Sequence, residues 1–181
     1  WPETERDGYK ITDAYYNTVF NAVCAGGYDD MARIAEVLGY TGDAEYYQGL
    51  ADTIRSNMIR KLYNAESGKF YDGLDNQGNV VEHSAQHATS YALAFGIYTD
   101  QNMADAMAES IENDDEIRMS IYSVYFLLQG LYRSNHGDLA RKIMSNSESL
   151  LGVRSWGYLM YGLGATAKTE AWNSKLKANM S

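Results

Sequence analysis

The strongest constraint on this fold is a recurrence of apolar residues at helical spacing, arranged in pairs of segments joined by short turns. From Thr41 onward, Tyr47, Ala51, Ile54, Met58 and Leu62 form one stripe at the 3.6-residue period. Before it, from about Ala14 to Leu38, Val19, Val23, Met31, Ile34, Ala35 and Leu38 recur at the same period, with Gly39 placed as a C-cap. Thr12 or Asp13 is expected to cap the start of that first helix. The link between the two segments is short, which predicts an antiparallel helical hairpin. Gly26-Gly27 interrupts the first helix at a cost of about 1 kcal/mol per glycine relative to Ala. A kink, or the close approach of a neighbouring helix, would account for the pair.

Two more pairs follow. Ala85 to Gly96, with Tyr91, Leu93, Ala94 and Phe95, reads as a helix. A second, opened by Thr99-Asp100, runs to about Ile111 through Met103 and Met107. Ser120 is placed to cap an almost continuously apolar helix reaching Ser134, expected to be an inner, buried one, with Tyr122 and Tyr125 assigned to the core. A shorter helix covers Asp138 to Ser145. Residues 63–83 break the pattern: Ser67-Gly68, Asp72-Gly73 and Asn76 to Gly78 are turn chemistry around candidate strands Lys69 to Asp72 and Asn79 to Glu82. The expected fold is therefore all-α. Helical hairpins build about half of an (α/α)6 toroid, with a small β-hairpin or long loop near 63–83, in one domain spanning 1–181.

Composition narrows the partners. A net charge of −9 disfavours nucleic acid, which demands a basic face, and an anionic membrane surface. Sixteen Tyr and three Trp against four Phe supply apolar faces with hydrogen-bonding tips, which suit stacking on sugar rings as well as helix packing. Cys24 is the single cysteine, so no intrachain disulfide forms. The first residue is Trp1, not Met, and the chain is expected to be a piece of a longer parent, with its compartment left open.

The residues that carry chemistry cluster at the two ends. Gly162 to Trp172 sets the carboxylate of Glu170 between small residues and an indole. Apolar surroundings raise a carboxyl toward the range useful to a general base; a Glu at a helix start, complementing the dipole, is the plainer reading. His83 and His87 stand four apart, but no third ligand of metal-site spacing lies near them. No metal or cofactor is expected. His83 is placed at a helix cap and His136 on an exposed turn.

Trp1-Pro-Glu-Thr-Glu-Arg-Asp-Gly-Tyr, followed by Asn17-Thr18-Val19, resembles a segment of bacterial α-L-rhamnosidases of glycoside hydrolase family 78. His83-Ser84-Ala85-Gln86-His87-Ala88, Ser123 to Leu128, Arg154-Ser155-Trp156 and Thr169-Glu170-Ala171-Trp172 match further family segments in the same order. Many members carry Trp where this chain has Thr169. The resemblance implies a six-hairpin toroid that hydrolyses terminal α-L-rhamnosides with inversion, acting on a rhamnose-containing oligosaccharide or glycoside. It makes Glu170 the general base and Trp1, Arg6, Asp7, His87 and Trp156 substrate contacts. It places the general acid upstream of Trp1, and a further His-containing segment beyond Ser181. The isolated chain is then expected to be inactive and prone to self-association through faces meant for the missing half. Alternatives are a non-catalytic carbohydrate-binding or interaction module, or another glycosidase or lyase on the same toroid.

Overall fold

A computed structural model describes residues 7–114, 116–146, 155–162, 164–166 and 172. Among the described residues six α-helices pair in sequence: α1 (Thr18–Val37) with α2 (Thr41–Leu62), α3 (Gln86–Ala94) with α4 (Gln101–Glu112), and α5 (Val124–Arg133) with α6 (Gly137–Ser145). The first members of the pairs stand in a row, α3 packing on both α1 and α5, while α2, α4 and α6 lie behind their partners. Tyr158–Gly162 adds a short π-helical turn. Among the described residues no helix is long and apolar enough to cross a membrane.

The capping chemistry explains where the helices begin. α1 is capped by Asn17, not by Thr12 or Asp13. The Asn17 side chain accepts from the backbone N–H groups of Val19 and Phe20, and its Nδ2 donates to the Tyr9 carbonyl at 3.1 Å. Thr12 and Asp13 lie instead in a turn closed by the Ala14 N–H on the Lys10 carbonyl. Asp100 caps α4 as expected, accepting from Met103 N–H at 3.0 Å. Ser120 also caps, but it caps the turn before α5, accepting from the Ser123 N–H. His136 is half-buried at the head of α6, with Nδ1 against Ser134 Oγ and Nε2 against Asp105. The reading of His136 as an exposed turn residue is corrected by those two contacts.

Between α2 and α3 the strands pair differently from the expected hairpin. β2 (Tyr63–Asn64), continuing directly from α2, pairs with β3 (Lys69–Phe70). β1 (Tyr16–Asn17) pairs with β4 (Gly73–Leu74), and 79–82 contributes a single bridge from Val80 to Leu74. The Thr18 N–H donates to the Asp72 carbonyl at 2.8 Å and the Thr18 hydroxyl to the Tyr71 carbonyl at 2.6 Å. Asn17-Thr18 thus welds the start of α1 to the segment preceding α3.

Gly26 settles the question of kink against close approach. α1 runs unbroken, and a Cβ at Gly26 would lie 2.2 Å from the Phe95 ring. The fully buried helix is α3, where all nine residues are buried, rather than α5. α5 buries Val124, Leu127, Gly130 and Leu131, while Tyr125 is 61% exposed and Tyr122, just before the helix, 61%. Tyr tolerates this because its hydroxyl stays in water.

The apolar residues of α1 divide between two faces. A small-residue face of Val19, Ala22, Ala25, Gly26, Ala32 and Ala35 is buried in the bundle. The larger residues at helical spacing, Phe20, Val23, Met31, Ile34 and Leu38, are 42–62% exposed. The stripe read from sequence had merged the two faces.

Candidate functional site

The front ends of α1 and α3, the β1–β4 pair and the 113–120 loop converge on a group of polar side chains. Its buried centre is Asp72, which directly precedes β4 and whose side chain is fully shielded from solvent. Its Oδ2 meets His83 Nδ1 at 2.5 Å and its Oδ1 accepts from the Ala85 N–H at 2.8 Å. Burial pushes the Asp72 carboxyl above its ordinary range, against the pull of His83 and the Ala85 N–H. His83 Nε2 faces Asp7 Oδ2 at 3.5 Å, so one imidazole stands between two carboxylates. Asp7 Oδ1 in turn accepts from the Tyr9 N–H at 3.0 Å. Tyr9 and Lys10 hold φ of 37° and 46°, a left-handed pair that is costly for non-glycine residues.

Among the described residues, Asp7, Asp72 and His83 form a group of metal-type ligands whose atoms lie within 4.8 Å of one another. The histidine in this group is His83, and its carboxylates come from distant stretches. No His87-centred spacing could reveal that. Within the group, His83 Nδ1 is the nitrogen that hydrogen-bonds a carboxylate, that of Asp72.

His87 is the second residue of α3, only 2% exposed, with its ring 5.0 Å from that of Tyr9. Its Nδ1 has no hydrogen-bond partner among the described residues, and neither does the buried Ser90 hydroxyl. Burial lowers the His87 pKa from 6.5 to about 4, against the opposing influence of Asp7. The folded chain therefore keeps His87 neutral while the unfolded chain protonates it. Stability that is complete above pH 6.5 is lost as the pH falls toward about 4, by up to about 3 kcal/mol. Asp72 acts in the opposite sense, since its raised pKa favours the folded state on acidification. A His87→Leu variant leaves the Asp72 contribution in place, so comparing it with the parent isolates His87. The variant should lose less melting temperature between about pH 7 and pH 4.5; equal losses would refute the assignment.

The far end of the chain reaches the same place. Trp172 is fully buried and donates its indole N–H to the Met119 carbonyl at 2.8 Å. Trp156 packs edge-to-face on it, with ring centroids 5.1 Å apart. The Asp7 N–H donates to the adjacent carbonyl, that of Arg118, at 3.2 Å. Two neighbouring carbonyls of one loop thus receive one segment from each end of the chain.

Of the residues expected at a site, Asp7, His87 and Trp156 fall within this region; Trp1, Arg6 and Glu170 lie outside the described residues. Asp72, Gln86 and the 118–119 carbonyls were not legible in advance. Asp72-Gly73 carried only a turn signal, and a carbonyl has no sequence signature.

Three helical hairpins in a row are the arrangement expected of part of a six-hairpin glycosidase domain. The chain belongs to the bacterial α-L-rhamnosidase six-hairpin glycosidase domain family, whose model matches residues 1–181. Among solved structures it is similar to the native α-L-rhamnosidase from Aspergillus terreus, with a TM-score of 0.64 at 17% identity. The match covers 87% of this chain and 17% of that one, so the chain spans about a sixth of the length of that enzyme. No curated protein matches it.

Proposed function

We propose that these residues form part of a catalytic domain that hydrolyses terminal α-L-rhamnosides with inversion, Glu170 acting as general base. Asp7, His87 and Trp156, with Trp1 and Arg6, contact the sugar. The proton donor comes from a segment preceding Trp1, and the two carboxyl groups stand about 6.5–9.5 Å apart, leaving room for the attacking water. The observation that carries this reading is the meeting of Asp7 and Trp172 on the Arg118 and Met119 carbonyls. Asp7 and Trp172 each belong to one of the family segments tied to sugar chemistry, which supports the reading that those segments act together. The neutral His87 imidazole, whose buried Nδ1 has no hydrogen-bond partner among the described residues, suits hydrogen bonding to an uncharged hydroxyl better than binding an anion.

The test is to follow an aryl α-L-rhamnoside with the longest natural chain containing these residues, recording which anomer of rhamnose appears first. Inversion delivers the β-anomer. First appearance of the α-anomer, or robust turnover by the 181-residue chain alone, would sink the scheme.

The exposed apolar stripe of α1 finds its place in the same reading. Three hairpins occur among the described residues of a six-hairpin family, and α1 ends their row. Further hairpins of the same catalytic domain are the occupant of that face. Without them the 181-residue chain should self-associate. Sedimentation should show concentration-dependent mass, abolished by Phe20→Glu together with Ile34→Lys at little cost in melting temperature. A 181-residue chain that stays monomeric over that concentration range would count against this packing.

A further inference from the structure

We propose that Gln86 is a positioning residue for the base segment, acting through the 113–120 loop; the proposal rests on the reading of Glu170 as base. Gln86 is the first residue of α3, the most rigidly enclosed helix, and is itself 7% exposed. Its carboxamide spans the loop. Nε2 donates to Asp114 Oδ2 at 3.1 Å and to the Glu116 carbonyl at 3.4 Å, while Oε1 accepts from the Arg118 N–H at 3.1 Å. These partners fix the orientation of the amide, since only the nitrogen can face a carboxylate and a carbonyl. Asp114 is held from its other side by Lys69 of β3 at 2.7 Å.

The stretch of backbone that Gln86 grips is the one that matters. The Arg118 N–H is bound by Gln86, the Arg118 carbonyl receives Asp7, and the next carbonyl, Met119, receives the Trp172 indole. Glu170 is two residues from Trp172, within about 7 Å of chain reach. A shift of this loop therefore moves Asp7 and Trp172 together. Ile117 at 7% and Met119 at 0% exposure already anchor the loop by apolar burial. The amide adds direction to a loop that would stay docked without it. Its loss should damage geometry more than stability, and a misplacement of about 1 Å is enough to cost on the order of a hundredfold in rate.

The experiment uses the longest natural chain containing these residues, with Gln86→Leu and Gln86→Glu. The first readout is independent of hydrolysis: solvent exchange of the Trp172 indole N–H by NMR, assigned with Trp172→Phe. Gln86→Leu should speed that exchange at least about tenfold and lower kcat about 10–100-fold, with KM within about threefold of the parent. Gln86→Glu should show the same deficit near neutral pH. The deficit, relative to the parent at each pH, should shrink on acidification, when protonation of the new carboxyl restores a donor toward Asp114. A purely structural role predicts no such rescue. Unchanged indole exchange in Gln86→Leu overturns the proposal, and so does a Gln86→Glu deficit that ignores pH. If the indole loosens while Glu170→Gln retains parental turnover, the base assignment fails and the loop linkage stands.

Discussion

Glu170→Gln, made in the longest natural chain containing these residues, is expected to lower kcat on aryl α-L-rhamnosides by about 10²–10⁴-fold with little change in KM. That range is what a positioned general base contributes. The substitution is nearly isosteric and retains an acceptor oxygen, so the attacking water can still be bound. What disappears is the ability to take its proton as the carbon–oxygen bond forms, a requirement confined to the transition state. An interaction of that kind appears in kcat rather than in KM. The base-dependent limb of the pH–rate profile should vanish with it. Parental rates in the variant would remove Glu170 from the mechanism, leaving the family assignment of the chain untouched.

Gly130→Val should be the most damaging single change to the fold. Where α5 crosses α3, a Cβ at Gly130 would lie 2.8 Å from Leu93 Cβ, 2.9 Å from Ala94 N and 3.1 Å from the Ser90 carbonyl. Two of those atoms are backbone of the fully buried helix, so no side-chain rotation relieves the overlap. Replacing a helical glycine ordinarily gains up to about 1 kcal/mol. Overpacking of a tight core costs about 1–3 kcal/mol, and here the obstruction is main chain, at or beyond the upper end of that range. A net loss of about 3 kcal/mol lowers the melting temperature of a domain this size by roughly 6–12 °C. Gly27→Ala is the control, because its Cβ would meet nothing within 4 Å. It should hold or slightly raise stability. Equal melting of Gly130→Val and the parent would show that α3 and α5 do not cross as described.

Hairpin order and the run of α2 were legible because amphipathic spacing and turn chemistry act locally. Asp100, Gly39 and the Tyr47–Leu62 stripe needed no tertiary information. Burial was less legible. α1 carries two apolar faces, and periodicity alone cannot say which is covered. α5 appeared uniformly apolar because Tyr counts as apolar in a stripe while its ring edge and hydroxyl accept water. α3 is short and small-residued, and its central place follows from neighbours on both sides, which no window along the chain reveals. The site divided in the same way. Asp7, His87 and Trp156 were reached through motif resemblance, whereas the Asp72–His83 contact joins residues 11 apart across a reversal of the chain. Gln86, within a quoted motif, showed no sign of holding a loop 28 to 32 positions away.

The paired carbonyls of Arg118 and Met119 also set an order of assembly. Each hairpin closes over a short connection, so its loop-closure entropy is small. The Trp172 contact closes across 53 positions and the Asp7 contact across more of the chain still. Neither can be rewarded until α3 and α5 have docked and formed the loop that receives them. The hairpins are expected to form first and the polar end last, so an incompletely folded chain would already be helical before that end closed.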